Sequence, residues 1–413
     1  MTTPFPQSMP LPHASPLPRS TTLLLNLAHA LDHMFVLIFA AAIAPIAAEF
    51  GIAHWEDLMP FGVGAFVMFG LGSIPAGRLG DLWGRRNMMI VFFVGIGASA
   101  ILASLARTPM ELAVALTIVG TFASIYHPVG IPMIVQGVRN QGATIGLNGF
   151  SGNLGVALAA LVTGLIVQWA GWRAGFWLPG LFAIGCGIVF ALTAPPERES
   201  PARRNVPNPH SLPDHLLLRV LAVITATGMS GNLLFQFTTN GNARLLTERF
   251  EGILADPALV GMLLAAIYAT ASVAQVLVGR LIDRVPVRTL YRAIVICQIP
   301  FLVAAAHAQG WVFFALQLGI MVCIFGAIPF TDAIMVRHVD DKMRSRVAGM
   351  RTAITFGSSA LAVWALGPIV KSTGFDTLLY LMGGIAVCTA CLVSLLPKDE
   401  VLAAAQGEAG AST

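Results

Sequence analysis

The chain alternates long apolar runs with short polar breaks. Twelve runs approach or exceed the roughly 20 residues that a helix needs to cross a bilayer. They cover 22–48, 58–79, 87–106, 110–136, 143–169, 174–194, 217–240, 258–280, 290–307, 311–336, 347–370 and 375–396. The pattern predicts an all-α integral membrane protein with 12 transmembrane helices. The longest break between runs, Pro195 to Asp214, is rich in proline and charge and leaves six runs on either side. Two pseudo-symmetric six-helix bundles are therefore expected, 21–194 and 216–397, joined by a central loop over 195–215. Residues 1–20, crowded with Pro, Ser and Thr, lack the basic–apolar–small pattern of a cleaved signal peptide and are expected to be a disordered tail. Residues 398–413 read the same way.

Composition agrees with the pattern and narrows it. The chain is 56% hydrophobic and 11% charged, against about a quarter charged in an ordinary soluble domain. The five cysteines all fall in apolar runs without CxxC spacing, so they read as small core residues. A net charge of +4 is no nucleic-acid signal in such a chain; what matters is which breaks hold the positive residues. With the N-terminus in the cytoplasm, 18 of the 24 Lys and Arg lie inside or at inner helix ends, and five lie outside. Both termini are thus expected in the cytoplasm, in the inner membrane of a bacterial cell. No Walker motif, zinc spacing or nucleophile elbow occurs, so neither enzymatic activity nor a cofactor is expected.

One break is unlike the others. Gly77-Arg78-Leu79-Gly80-Asp81-Leu82-Trp83-Gly84-Arg85-Arg86 follows the second run, and a second copy, Gly279-Arg280-Leu281-Ile282-Asp283-Arg284-Val285-Pro286-Val287-Arg288, follows the eighth. The copies share Gly-Arg-Leu-x-Asp, 202 residues apart, close to half of the 413-residue chain. Pro286 stands where Gly84 does, and one basic position is lost. The pattern Gly-x-x-x-Asp-x-x-Gly-x-Arg-Arg resembles the signature loop of the major facilitator superfamily. The resemblance covers residues 20–397 and implies a carrier of alternating access whose conformational switch is Gly77, Asp81, Gly84, Arg85 and Arg86, with Asp283 and Arg284 in the second copy. It also implies a substrate site between the halves, near mid-membrane.

Polar residues inside apolar runs are costly and so are functional candidates. Asn26, His29, Asp32 and His33 fall on one face of the first run, within an arc of about 120°. A carboxylate beside imidazoles is a candidate proton relay, since imidazole exchanges protons near neutral pH. His127 sits beside Pro128 in the fourth run. Asn148 and Asn153 lie in the fifth, where glycines recur every third residue from Gly146 to Gly155 and permit close helix approach. Asn232, Gln236 and Asn240 form an i, i+4, i+8 stripe in the seventh. Structural hydrogen bonding between helices is the bland alternative for each of these. Asp332 and Arg351, on runs joined by a short basic loop, are expected to pair as an inner gate, each offsetting the other's desolvation. Prolines at 45, 75, 128, 132, 300 and 329 are expected to kink their helices.

Within the superfamily, His29-Ala30-Leu31-Asp32-His33-Met34, Tyr126-His127-Pro128 and Gly152-Asn153-Leu154-Gly155 resemble the fosmidomycin-resistance branch of bacterial exporters, although Val129-Gly130 stand where that branch has an acid. The expected function is proton-coupled export of a small organic molecule by a monomer in the lipid bilayer. Asp32 would carry the proton, helped by His29, His33 and His127. Asn26, Tyr126, Asn148, Asn153, Asn232 and Gln236 would line the substrate cavity. Proton-coupled uptake of a polar metabolite uses the same residues, and a non-transporting membrane scaffold or sensor is the rival of another class. No nucleic-acid partner is expected.

Overall fold

The structure, a computed structural model, describes residues 16–53, 57–204, 212–254, 257–398 and 401. Most of both expected tails and residues 205–211 of the central loop lie outside the described residues. Each apolar run is a helix. α1 is Arg19–Ala41 continued by Ile43–Glu49. α2 comprises Met59–Gly62, Val63–Leu71 and Ser73–Trp83. α3 is Arg85–Ser104. α4 comprises Pro109–Ala123, a π-helical turn Tyr126–Gly130, and Ile131–Ile134. α5 and α6 are the two limbs of Gln141–Thr193 on either side of Gly171. α7 is Asp214–Arg249, α8 Pro257–Ile282 and α9 Val287–Ala305. α10 comprises Gly310–Ala327 and Pro329–His338. α11 and α12 are the limbs of Arg344–Ser394 on either side of Gly374.

The twofold pseudo-symmetry extends to single residues. Gly171 (φ 79°, ψ 166°) and Gly374 (φ 78°, ψ 173°) occupy the same corner of backbone space, one that side-chain-bearing residues essentially never adopt. A Cβ at either would meet nothing within 4 Å. Replacing either by Ala should therefore cost stability through the backbone alone, by about 1–3 kcal/mol. Thermal unfolding of the G171A and G374A proteins in detergent checks this, and midpoints equal to wild type would refute it. Close to these hinges each half carries an ionic tie with its charges exchanged. Glu49 at the end of α1 accepts from Arg173 and from Trp172 Nε1 (2.6 Å). Arg249 at the end of α7 pairs with Asp376.

Prolines sit at breaks in some helices and inside others. Pro329 and Pro132 open new helical segments after a break rather than bending a continuous one, as fits a residue that has no amide hydrogen to donate. Pro300 lies inside an unbroken α9. The bend in α2, 40°, falls at Gly72 and not at Pro75. Pro128 sits in the π-helical turn, where the hydrogen-bond ladder is already interrupted.

Glycine decides how closely the helices pack. Within the first half a Cβ at Gly155 would lie 2.1 Å from the Ala30 carbonyl oxygen, and one at Gly97 2.5 Å from that of Gly180. Between the halves, a Cβ at Gly77 on α2 would lie 2.2 Å from the Ser345 carbonyl oxygen on α11, and one at Gly146 on α5 2.3 Å from that of Gln275 on α8. These contacts bring α2 onto α11 and α5 onto α8 at the end of the molecule that carries the signature loops. One apolar core runs from Leu25 and Phe92 in the first half to Ile224, Phe330 and Val393 in the second. The far end of the second half has a core of its own, around Phe237, Phe250, Phe313 and Phe375, that among the described residues contains none from the first half. The halves are thus joined at the signature-loop end.

Candidate functional site

The helices enclose a cavity of about 150 Å³ between the halves. His29, His33, His127, Asn148 and Asn153 line it from the first half, and Asn232, Gln275, Gln298, Asp332, Arg351 and Thr355 from the second. Most of the sequence candidates converge there. Asn26, Asp32, Tyr126 and Gln236 do not line it; they are buried behind its wall.

On the first-half side the groups lock together in a definite order. Asn148 donates to Asn26 Oδ1 (2.9 Å) and to the Tyr126 hydroxyl (2.7 Å), which itself donates to the Leu25 carbonyl (2.9 Å). The Asn148 carbonyl lies 2.8 Å from His29 Nδ1. A carbonyl only accepts, so that nitrogen carries hydrogen and, in the neutral ring, Nε2 is left to accept from His33 Nε2 at 3.2 Å. His127, placed by the π-helical turn, meets the His29 and His33 rings edge-on. Its Nε2 is 3.6 Å from Asp32 Oδ2, beyond hydrogen-bond length but short enough for an ion pair once the ring is protonated. Asp32 is fully buried, and neither of its oxygens has a hydrogen-bond partner; His127 Nε2 also lacks one. The ring nitrogens of the three histidines lie within 4.8 Å of one another. His29 already uses both ring nitrogens, one on the Asn148 carbonyl and one on His33.

On the second-half side Asn232 donates to the Thr355 carbonyl and to the Ser358 and Ser359 hydroxyls at 2.9–3.0 Å. Gln236 donates to Ser359 (3.1 Å). The amide stripe thus ties α7 to α11, and Asn240 folds back onto Gln236. Asp332 and Arg351 form an ion pair, each nearly buried, and Arg351 also donates to Thr331 Oγ1 (2.9 Å). The pair lines the cavity. Gln275, Gln298 and Thr355 were not singled out from sequence, although the two glutamines carry the same signal as the asparagines that were: an amide within an apolar run.

The signature loops lie at the joined end. Asp81 accepts from the backbone N–H groups of Ser345 (3.2 Å) and Arg346 (2.8 Å), a carboxylate at the N-terminus of α11. Asp283 does the same to Gly142 (2.9 Å) and Ala143 (2.8 Å) at the start of α5. Arg86 donates to the Ala191 and Ala194 carbonyls, and Arg288 to that of Ser394, so each loop also holds the C-terminus of its own half's last helix. Gly84 (φ 107°) admits the turn into α3; at Pro286 (φ −50°) the second copy makes its turn with an ordinary backbone. Arg284 is exposed. What the second copy lacks is a counterpart of Arg85. That side chain is fully buried and donates to Ser345 Oγ (3.0 Å), Asp341 Oδ1 (2.7 Å) and the Asp341 carbonyl (2.8 Å). Asp341 receives Arg204 of the central loop as well (2.9 Å). Burial alone would raise the Asp341 carboxyl, but Arg85, Arg344 and Arg204 outweigh it and hold it well below the usual carboxylate range. A depressed value means that the attraction is present above the ordinary carboxylate pKa and is lost only in strong acid. The latch therefore stays charged throughout the physiological range.

A cavity between two like halves that meet closely at one end, in a chain whose helices are long and apolar enough to cross a bilayer, is the architecture of a membrane carrier. A family model described as Major Facilitator Superfamily matches residues 25–247 and 235–412. The chain belongs to the Major Facilitator Superfamily; it is a multi-pass membrane transporter and not an enzyme. Its fold is similar to that of the proton:xylose symporter XylE, with a TM-score of 0.72, 15% identity, and coverage of 92% of this chain and 96% of that one. It is similarly close to the human organic anion transporter MFSD10 (TM-score 0.72, 14% identity, coverage of 91% and 99%). In sequence it is 30% identical over 42% of its length to the probable actinorhodin transporter of Streptomyces coelicolor, and 27% identical over 38% to the probable 4-methylmuconolactone transporter of Cupriavidus pinatubonensis. It is 26% identical over 33% to the tetracenomycin C resistance and export protein of Streptomyces glaucescens. These matches span only 30%, 38% and 26% of the respective relatives.

Proposed function

We propose that this transporter exports a small organic molecule in exchange for protons, by alternating access, as a monomer in a bacterial inner membrane with both termini cytoplasmic. The observation that carries the proposal is Asp32: a fully buried carboxyl without a hydrogen-bond partner, 3.6 Å from an imidazole that opens on the cavity. It can gain or lose a proton without breaking a contact that holds the fold. His127 passes the proton between Asp32 and the cavity, and the His33–His29 pair continues the path along the wall. Asn148, Asn153 and Asn232 meet the substrate, while Asn26, Tyr126 and Gln236 hold the wall in place. Asp332 and Arg351 act as the inner gate, parting when substrate enters between them. Gly77, Asp81, Gly84, Arg85 and Arg86, with Asp283, form the switch that joins the halves, and residues 21–194 and 216–397 move as the two units. The names of the matched relatives, which include an antibiotic exporter, favour export, as does the resemblance to the fosmidomycin-resistance branch.

The test is proton movement in proteoliposomes with a pH-sensitive dye inside, over a panel of antimicrobials and small metabolites. At least one compound should drive a proton flux above that of empty liposomes, and H127Q should slow that flux several-fold. Radiolabelled substrate moving with no accompanying proton would overturn the coupling.

A further inference from the structure

Among the described residues that line the cavity, one carries a guanidinium, Arg351. That group can only donate hydrogen bonds, and it faces Asp332. Of its donors, Nη1 is given to Thr331 and Nη2 to Asp332; Nε is buried without a partner. One helical turn on, Thr355 Oγ1 is likewise buried and unpartnered. Residues four apart share a helix face, so two orphan donors stand side by side on α11. Opposite them α7 presents Gly228. A Cβ there would come within 3.2 Å of Thr355 Oγ1 and 3.9 Å of Arg351 Nη1, so the bare backbone of α7 keeps a niche beside Thr355 Oγ1 and the edge of the Arg351 guanidinium clear of side chain. No carboxylate at the cavity surface is equally available to a cation. Asp332 is committed to Arg351, and Asp32 is closed off behind His127. The cavity wall also presents apolar surface, with Phe235, Phe356, Ile324 and Ile328.

We infer that the substrate is an organic acid, whose carboxylate enters the niche at Arg351 and Thr355 against Gly228 while its hydrocarbon body lies on Phe235 and Phe356. This rests on the reading of the cavity as the transport site. The carboxylate accepts from Arg351 Nε and Thr355 Oγ1, satisfying both orphan donors, and competes with Asp332 for the guanidinium. Asp332 is then a rival of the substrate, and the ion pair parts as the acid arrives.

Three probes with one body and different heads test the inference: 3-phenylpropionate, 3-phenylpropionamide and 3-phenylpropylamine. Binding is measured by calorimetry on the purified full-length protein in lipid nanodiscs. The acid should bind about tenfold or more tightly than the amide or the amine, the worth of a charge-assisted hydrogen bond. T355V and G228A, which leave the ion pair intact, should weaken the acid several-fold and leave the amine unchanged. D332N should tighten the acid, whereas a purely structural role for the pair predicts weaker binding or misfolding. Amide or amine binding as tight as the acid, no acid binding at millimolar concentration, or acid binding that none of the substitutions moves would each overturn the inference. Proton coupling is judged separately. If other compounds drive an Asp32-dependent flux while the acid does not bind, this inference falls and the exporter reading stands. If the acid binds as described but moves without protons, only the coupling falls.

Discussion

Asp32→Asn should reduce substrate-driven proton flux in proteoliposomes to the level of empty liposomes while sparing exchange of labelled substrate across the membrane. Asn has the shape of Asp but cannot take up a proton. The substitution breaks no hydrogen bond, because Asp32 makes none, and no cavity surface changes, because the side chain is fully buried. Folding and substrate binding should therefore survive, which separates a coupling defect from a structural one. The position of His127, 3.6 Å away and facing the cavity, explains why the carboxyl need not touch substrate. The proton reaches it through an imidazole, whose two ring nitrogens can take up and release a proton in turn. A full proton flux in the D32N protein would remove Asp32 from this role and move attention to Asp332, the other carboxyl beside the cavity.

Gly77→Val and Gly146→Val should each cut transport about fivefold or more by holding the signature-loop end apart. The Cβ alone would stand 2.2 Å from the Ser345 carbonyl oxygen in the first case and 2.3 Å from that of Gln275 in the second. The opposing atoms are backbone, so no side chain can swing away; the helices themselves must separate. Overpacking of this kind costs about 1–3 kcal/mol, and each 1.4 kcal/mol shifts a two-state equilibrium tenfold. The cost falls only on conformations in which this end is closed, so the balance moves toward the open one. The amides of Ser345 and Arg346, which donate to Asp81 in the closed contact, should then exchange hydrogen for deuterium faster. Gly185→Val serves as the control, since a Cβ there meets nothing within 4 Å. Wild-type transport and unchanged exchange at Ser345 in both glycine variants would disprove the closing role of these contacts.

The two halves show unequal dependence on their loops. Asp81 and Asp283 both hold helix N-termini, and Arg86 and Arg288 both hold helix C-termini. Only Arg85 reaches across to Asp341 and, through it, to Arg204 in the central loop. The shared Gly-Arg-Leu-x-Asp of the two copies reported their likeness. Their difference was visible only as a missing basic residue, because its meaning depends on Asp341, which lies 256 positions from Arg85.

Sequence alone determined the membrane spans, their division into two sixes, and the repeat of the signature loop. A bilayer demands about 20 apolar residues per crossing wherever the helix packs, so span number is a local property of the chain. Intramembrane polarity likewise marked most of the residues that meet in the cavity, since polar groups in an apolar run are rare without cause. Tertiary structure decided which of them face the cavity and which lie behind it. Asn26 and Asn148 look alike in sequence, yet one is buried in the wall and the other lines the cavity, according to how α1, α4 and α5 rotate against each other. It also decided that the α2 bend falls at Gly72, that α9 runs unbroken through Pro300, and that Arg351 and Thr355, each with an unused donor, stand beside Gly228. Those outcomes depend on contacts between helices far apart in the chain, and periodicity along one helix does not specify what the next helix brings against it.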